Sequence, residues 1–239
     1  MPDARFRIKR RQPWWEDEGR YEEFTVPYAT SLTVLEGLFY IQEHLDGSLS
    51  FRYCCRAAVC GSCAMYINGR YRLACQTNVR HLSGDVITVE PMPHLPLVKD
   101  LVCDMTDFFE KFALMKPWLI RNSAEPDKEI PQSPRERHTL DMPIDCISCG
   151  CCYSSCPSVW GEDSYVGPMA LLWTYRFEVD SRDEARKERL PRFSNERAVY
   201  RCHTITNCVE ACPKDLNPTQ GIQWLKGAAV RRKLFGRWK

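Results

Sequence analysis

Residues 55–63 read C-R-A-A-V-C-G-S-C, and this segment indicates the fold more strongly than any other part of the chain. Its cysteines have the spacing C-x4-C-x2-C, and a fourth cysteine follows within residues 73–77, L-A-C-Q-T. This is the ligand spacing of a plant-type [2Fe–2S] cluster. Small residues such as Ala57 and Gly61 let the backbone approach a cluster, so that its N–H groups can point at the sulfur atoms. The predicted ligands of the [2Fe–2S] cluster are Cys55, Cys60, Cys63 and Cys75.

Two further cysteine runs form an internal repeat. Residues 146–157 read C-I-S-C-G-C-C-Y-S-S-C-P and contain C-x2-C-x2-C-x3-C-P, the bacterial [4Fe–4S] run. Residues 202–213 read C-H-T-I-T-N-C-V-E-A-C-P and repeat that run with Ile205 in place of its second cysteine. The repeat predicts two clusters in the second half of the chain.

The two runs are expected to share their ligands. In a two-cluster bacterial-type module, the fourth cysteine of each run binds the other cluster. The predicted [4Fe–4S] ligands are therefore Cys146, Cys149, Cys152 and Cys212. The second set has only three thiolates, Cys156, Cys202 and Cys208. Because the apolar side chain of Ile205 cannot hold a fourth iron, this set predicts a [3Fe–4S] cluster.

Of the 14 cysteines, Cys54, Cys103 and Cys151 lie outside these ligand sets. We expect all three to be buried as small apolar residues, with Cys103 on the first helix of the second domain. Two alternatives fit the other cysteines poorly. Zinc sites use C-x2-C pairs rather than these runs, and disulfide scaffolds are typical of short secreted chains.

Composition excludes several functional classes. The 33 Lys and Arg residues against 31 Asp and Glu give a net charge of only +2, which argues against a nucleic-acid binder. No apolar run is long enough to span a membrane. The N-terminus lacks an apolar segment, so we expect no secretory signal and a reducing compartment. No G-x-G-x-x-G motif, no P-loop and no convergent acid–base set occurs, so we expect no catalytic dicarboxylate site on this chain.

The first part of the chain predicts a small α+β domain. Residues 5–10 and 21–26 read as strands, with a turn at residues 13–19 between them. Thr33 and Glu36 form a capping-box pattern before a helix whose expected buried stripe is Leu35, Leu38 and Phe39. A further strand is predicted at Leu49 to Tyr53. Two strands flank Asn68-Gly69, a hairpin signal, and Val86 to Glu90 closes the sheet. This order predicts a β-grasp, plant-type ferredoxin domain over residues 1–104.

Regular structure of a different kind follows the prolines at positions 91, 93 and 96. Helical patterns cover residues 101–120, 167–179 and 220–234, while residues 125–134 read as a loop. The sequence therefore predicts an all-α, bacterial-ferredoxin-like domain over residues 105–239. A relay of three clusters with no donor site of its own needs partners at both ends.

The order of these motifs resembles the iron–sulfur subunit of succinate dehydrogenase and fumarate reductase, respiratory complex II. The resemblance runs through nearly the whole chain. Its carriers are residues 55–63, 73–77, 146–152, 155–158, 167–168, 180–183, 201–203, 207–208, 212–214 and 216–218.

The resemblance implies a subunit of succinate dehydrogenase (quinone), active in the respiratory chain and the tricarboxylic acid cycle. A flavoprotein subunit oxidises succinate to fumarate at a covalently held FAD. Electrons then pass through [2Fe–2S], [4Fe–4S] and [3Fe–4S] to a quinone at one or more membrane anchor subunits, whose haem content is left open. The implied quinone-binding residues are Pro157, Trp160, His203 and Ile205. The implied location is peripheral, on the cytoplasmic face of a bacterial inner membrane.

Two departures from the family pattern matter. Ubiquinone-using members typically carry two adjacent tryptophans, whereas Gly161 follows Trp160 here, which favours menaquinone or an altered pocket. Ala58 stands where many members have glycine, and a positive φ there would be strained by its Cβ. Three alternatives stay open. They are a fumarate reductase running in reverse with menaquinol, a soluble multi-cluster ferredoxin, and a relay subunit of another flavoenzyme with a thiol donor.

Overall fold

The computed structural model describes residues 3–11, 19–28, 31–124 and 126–236. The turn predicted at residues 13–19 lies outside these ranges except for Gly19. The chain divides into two compact units, each considered by itself. The N-terminal unit comprises Met1–Met105 and Ile147–Ser154, and the helical unit comprises Thr106–Cys146 and Ser155–Lys239. The division of the chain at residues 104 and 105 stays a prediction, and the segment Ile147–Ser154 groups with the N-terminal unit.

The N-terminal unit is built on a mixed five-stranded sheet. Its strands are β1 (Asp3–Arg10), β2 (Arg20–Pro27), β3 (Ala64–Ile67), β4 (Arg70–Leu73) and β5 (Val86–Glu90). They lie in the order β2-β1-β5-β3-β4. Strand β1 pairs antiparallel with β2 and parallel with β5, and β3 pairs antiparallel with β4 and β5. The hairpin predicted around Asn68-Gly69 is confirmed. Two short strands, β6 (Leu97–Lys99) and β7 (Val102–Cys103), form a second sheet.

Helix α1 (Val34–Tyr40) covers this sheet. Its first turn is closed by the predicted capping box, in which the Thr33 side chain accepts from the Glu36 N–H and the Glu36 side chain accepts from the Thr33 N–H. A Cβ at Gly37 would lie 2.2 Å from Cζ of Phe6, a residue of β1. Because glycine carries no Cβ, the helix can sit directly on the aromatic ring. A π-helical turn, Ile41–Leu45, follows the helix.

Strand β1 alternates as a half-buried strand should, but its last inward residue is a cation. The Arg10 guanidinium donates to Asp100 at 3.1 Å, to Glu22 at 2.9 Å, to Ser48 at 2.8 Å and to Asp46. A buried charge is tolerated only where it is paired in this way. The network ties the end of β1 to loops distant in sequence.

Three expectations for the N-terminal unit are wrong. Leu49–Tyr53 forms no strand, because its backbone hydrogen bonds go to the loop at Asp100 instead. The Ser50 N–H donates to the Asp100 carboxylate, and the Ser50 carbonyl accepts from the Leu101 N–H. Phe39 is half-buried rather than buried, because it packs edge-on against Phe51 and Tyr53 beside the helix. Cys103 is buried, but it lies on strand β7 and not on a helix.

Short helices dominate the rest of the chain. They are α2 (Thr106–Leu114), α3 (Pro134–His138), α4 (Asp141–Ile144), α5 (Cys151–Ser154), α6 (Pro157–Trp160), α7 (Gly167–Val179), α8 (Arg186–Phe193), α9 (Asn207–Glu210) and α10 (Pro218–Phe235). Helix α5 belongs to the N-terminal unit and the others to the helical unit. The helix predicted at residues 101–120 is wrong at both ends, because a turn and strand β7 occupy residues 100–103 and a turn follows Leu114. The helix predicted at 167–179 is confirmed, and the one at 220–234 begins two residues earlier, at Pro218.

The core of the helical unit lies between α7 and α10. Nearly every residue of the first two turns of α7 is buried, and Ile222 and Leu225 of α10 are fully buried. Gly221 lets α10 approach the Tyr175 ring, which a Cβ would meet at 3.2 Å. Among the described residues, no helix combines the length and apolar character needed to cross a bilayer.

Candidate iron–sulfur sites

The loop at residues 55–63 wraps its backbone around the Cys55 sulfur. The N–H groups of Ala57, Val59 and Cys60 donate to Cys55 Sγ at 3.4, 3.3 and 3.3 Å. Three N–H donors on one ligand sulfur stabilise added negative charge on a bound cluster. The same local backbone also donates from Cys55 N–H to Cys60 Sγ, at 3.5 Å.

Cys63 and Cys75 close this site from the hairpin. Cys63 immediately precedes β3, Cys75 follows β4, and the Ala58 N–H donates to Cys75 Sγ at 3.3 Å. Burial raises the pKa of the Cys63 thiol to about 12. For Cys60, burial opposes ionisation, but N–H and hydroxyl donors overcome it and lower the pKa to about 6. A cysteine that binds iron loses its thiol proton, so a high pKa does not prevent Cys63 from acting as a ligand. Four converging sulfurs with N–H donors therefore fit a [2Fe–2S] cluster.

Positive φ angles at three positions give the loop this shape. They occur at Arg56 (57°), Ala58 (56°) and Gly61 (75°). Ala58 does have a positive φ, so the methyl group that stands where many family members have glycine is strained. A Cβ at Gly61 would lie 2.8 Å from the Cα of Cys149. The first cysteine loop therefore lies directly against the segment Ile147–Ser154 of the same unit.

The predicted four-iron ligands are divided between the two units. Cys149 and Cys152 lie in the N-terminal unit, and Cys146 and Cys212 lie in the helical unit. Hydrogen bonds from Cys151 lower the pKa of Cys149 despite its burial. This is the behaviour expected of a sulfur prepared to bind metal as thiolate.

The three predicted three-iron ligands come together in the helical unit. Cys156 precedes α6, Cys202 follows a 3₁₀ turn at Val199–Arg201, and Cys208 lies in α9. All three line one cavity, whose 14 lining residues include no carboxylate. Burial raises the pKa of both Cys156 and Cys208, and the neighbouring thiols raise both further. Three thiols together, with no carboxylate on the lining, form a soft donor set that fits an iron–sulfur cluster.

Of the four residues implied for quinone binding, three line the cavity of the three cysteines and one does not. Pro157, His203 and Ile205 line the same cavity as the three cysteines. Ile205 is half-exposed, between Thr204 (φ 61°) and Thr206 (φ 72°). Trp160, at the end of α6, is 41% exposed and is not among the lining residues.

The remaining cysteines depart from expectation in one case. Cys103 and Cys151 are buried as expected, but Cys54 is exposed, because it lies in the irregular segment before the loop. In the described part of the chain, no three Cys, His, Asp or Glu side chains are placed to hold a single metal ion. Thiolates that bind a cluster are held farther apart than those of a single ion, since the iron–sulfur core lies between them.

Several groups beside the ligands were missed by sequence reasoning. Ser62 hydrogen bonds to Cys60 and Ser158 to Cys156. Thr219, on α10, lies 3.3 Å from Cys208 through its hydroxyl. The serines could have been noted from their place inside the motifs. Thr219 could not, because its approach to Cys208 depends on how α10 packs.

The sheet domain with its cysteine loop and the helical part with its two cysteine runs define a multi-cluster iron–sulfur electron-transfer protein. Residues 5–110 match the model of a 2Fe-2S iron-sulfur cluster binding domain, and residues 143–216 match that of a 4Fe-4S dicluster domain. The chain belongs to the family of succinate dehydrogenase iron–sulfur subunits, and it is thus an electron-transfer subunit of an oxidoreductase.

Two curated relatives and one solved structure support this assignment. The chain is 43% identical to the succinate dehydrogenase iron-sulfur subunit of Paracoccus denitrificans over 230 residues, 95% of this chain and 88% of the relative. It is 47% identical to the mitochondrial succinate dehydrogenase [ubiquinone] iron-sulfur subunit 1 of Oryza sativa subsp. japonica, over 81% of this chain and 69% of the relative. A chain of the Mycobacterium smegmatis Sdh1 complex in the apo form is 26% identical, with a TM-score of 0.87 and 97% of each chain covered.

Proposed function

We propose that this chain relays single electrons from a flavoprotein to a membrane quinone in a succinate:quinone oxidoreductase. The flavoprotein partner oxidises succinate to fumarate at its FAD, and electrons leave it through this chain. The observation that carries the proposal is the cavity where Cys156, Cys202 and Cys208 meet beside Ile205. Three thiols with an apolar residue in the fourth position fit the terminal, three-iron member of such a relay.

Each thiol set has its own cluster in this proposal. The [2Fe–2S] cluster is held by Cys55, Cys60, Cys63 and Cys75. The [4Fe–4S] cluster is held by Cys146, Cys149, Cys152 and Cys212. The [3Fe–4S] cluster is held by Cys156, Cys202 and Cys208. When bound, the clusters supply one-electron chemistry that no side chain of this protein provides.

The contact of Gly61 with Cys149 supports the order of the relay. The loop that holds the [2Fe–2S] ligands packs against the backbone of Cys149, a proposed [4Fe–4S] ligand. The two segments are so close that a Cβ at Gly61 would lie only 2.8 Å from the Cys149 Cα. An electron that arrives at the first loop therefore has a ligand of the next site as its immediate neighbour. The N–H groups around Cys55 stabilise the added charge on its way.

The exit of the relay is proposed at the cavity of the helical unit. Quinone reduction consumes protons as well as electrons, and the imidazole nitrogens of His203, which lines this cavity, can carry a proton. Pro157 and Ile205 line the same cavity and offer apolar contact to a quinone ring. Trp160 lies on the exposed end of α6, where its indole is proposed to contact the quinone or the anchor.

The partners follow from the two ends of the relay. We propose a flavoprotein subunit with FAD at the [2Fe–2S] end and one or more membrane anchor subunits at the [3Fe–4S] end, with haem as a further cofactor of the anchor. The chain itself would be held peripherally, on the cytoplasmic face of a bacterial inner membrane. Nucleic acid is not a partner in this proposal.

The test replaces Ile205 with cysteine in the membrane-extracted complex. A fourth thiolate at this position should bind a fourth iron, so the EPR signal of the oxidised three-iron cluster should disappear and the iron content should rise. Ile205→Val is the matched control and should keep the three-iron signal. A three-iron signal unchanged in Ile205→Cys, or absent from the parent protein at full iron and sulfide content, would refute the proposed ligand set.

A fumarate reductase that uses menaquinol is the second candidate. The observation that favours it is that Gly161, and not a second tryptophan, follows Trp160. An EPR-monitored redox titration separates the two, since a three-iron signal that titrates at low potential supports menaquinol and the reverse direction. A soluble ferredoxin would instead be recovered alone, without a flavoprotein, after cell fractionation.

A further inference from the structure

The first turn of α10 lies against the proposed three-iron site. Thr219 is its second residue, and its hydroxyl lies 3.3 Å from Cys208 Sγ. Thr219 and Cys208 are each only 7% exposed, so water does not compete strongly for either atom. Thr219 and Ile222, one turn further along, both line the cavity shared by the three cysteines.

The direction of this hydrogen bond follows from the chemistry of the ligand. A cysteine that binds iron does so as the thiolate, which has no proton to give. The Thr219 hydroxyl must then donate and the Cys208 sulfur must accept. Hydrogen bonds to a charged acceptor are stronger than neutral ones, and a buried setting strengthens them further.

Two other features of α10 place positive charge on the same side of the cavity. The helix is 18 residues long, with Asn217 at its N-cap, so its N-terminal end carries the positive end of the helix dipole. The Lys226 ammonium, two turns along, donates to the backbone carbonyl of Cys202 at 2.6 Å. The helix N-terminus and Lys226 therefore both favour negative charge near the cysteines.

We propose that Thr219 is a positioning residue that raises the reduction potential of the site at Cys156, Cys202 and Cys208. This inference rests on the proposed function, in which that site holds a three-iron cluster. Reduction brings one electron from the four-iron site and adds one negative charge. The hydroxyl donation to Cys208 is stronger in the reduced state, since the sulfur is then more negative. No bond forms or breaks, and the hydroxyl proton stays on the Thr219 oxygen.

The experiment compares Thr219→Val with Thr219→Ser in the purified complex, by EPR-monitored redox titration of the three-iron signal. Valine has nearly the shape of threonine but no hydroxyl, so the midpoint potential should fall. Serine keeps the hydroxyl, so the midpoint should stay near that of the parent protein. Thr174→Val is the matched control, because its buried hydroxyl donates to the Ala170 carbonyl and not to sulfur. Its midpoint should not change.

The outcomes separate this inference from the proposed function. A three-iron signal that is present in the parent protein and has the same midpoint in Thr219→Val would overturn the role of Thr219 alone. Absence of the signal from the parent protein would overturn the ligand set and this inference with it. If the valine variant fails to assemble the cluster, Thr219→Ala against Thr219→Ser gives the same comparison, and equal midpoints would again refute the proposal.

Discussion

Replacing Glu178 with glutamine should remove a pH-dependent loss of stability from the helical unit. Glu178 lies at the end of α7 and is 3% exposed, and its Oε1 has no hydrogen-bond partner among the described residues. Burial raises the pKa of this carboxyl to about 8; the nearby charges of Arg189 and Arg186 offset only part of that effect, and Asp183 adds to it. The protein therefore keeps Glu178 neutral at pH values where an ordinary glutamate is ionised.

The sign and the size of the effect follow from that difference. The unfolded chain loses the Glu178 proton near pH 4.5, whereas the folded chain holds it up to about pH 8. Between these values the folded state binds more protons, so the free energy of unfolding falls as pH rises. At about 1.4 kcal/mol for each pKa unit, raising the pH from about 6 to about 8 should cost roughly 2–3 kcal/mol. Glu178→Gln stays neutral and should not lose this stability.

The assay is urea unfolding of the cluster-loaded protein, followed by tryptophan fluorescence between pH 6 and 8. The stability gained by Glu178→Gln over the parent protein should grow steadily across this range. Glu136→Gln is the control, since Glu136 is exposed and hydrogen bonds from Ser133 lower its pKa, so it is ionised throughout. An equal pH dependence in Glu178→Gln and the parent protein would show that Glu178 is not held neutral in the folded state.

Two further predictions concern packing. Gly37→Ala should destabilise the N-terminal unit by ~1–3 kcal/mol, because its Cβ would strike the Phe6 ring at 2.2 Å; urea unfolding should show this, and Phe6→Leu should restore part of the loss. Arg189→Met should destabilise the helical unit by ~3–5 kcal/mol, because it leaves the buried Asp183 carboxylate without the guanidinium that now lies 2.7 Å away. Arg137→Met, which breaks an exposed pair with Asp141, should cost less in the same assay, and an equal cost would contradict the argument.

Local signals predicted the elements that depend on local chemistry. The hairpin at Asn68-Gly69 needs positive φ in its turn, and both residues have it. The capping box at Thr33 and Glu36 joins groups three residues apart. The helix at Gly167–Val179 is fixed by a proline in its first turn and a long apolar run. In each case the deciding contacts lie within a few residues, so the sequence contains them.

The predictions that were wrong concern segments whose structure depends on contacts outside the local sequence. Leu49–Tyr53 has the composition of a strand, but its backbone hydrogen bonds go to the loop at Asp100, about 50 residues away in sequence. Phe39 has the spacing of a buried helical residue, but aromatic rings after the helix draw it to the side. The segment before Thr106 is apolar enough for a helix, yet it forms the short sheet of β6 and β7.

The cysteine spacings can be read directly from the chain, and they identify the family and predict the clusters, because ligands within one loop must stand at fixed intervals around a cluster. Long-range packing alone brings Gly61 against Cys149 and Thr219 against Cys208. It also decided that Glu178 is buried without a partner for its Oε1 among the described residues. These features depend on where a loop or helix packs against a distant segment, and no local pattern records that position. Short-range cysteine spacing thus identifies the predicted ligands, while long-range packing determines which groups surround those ligands.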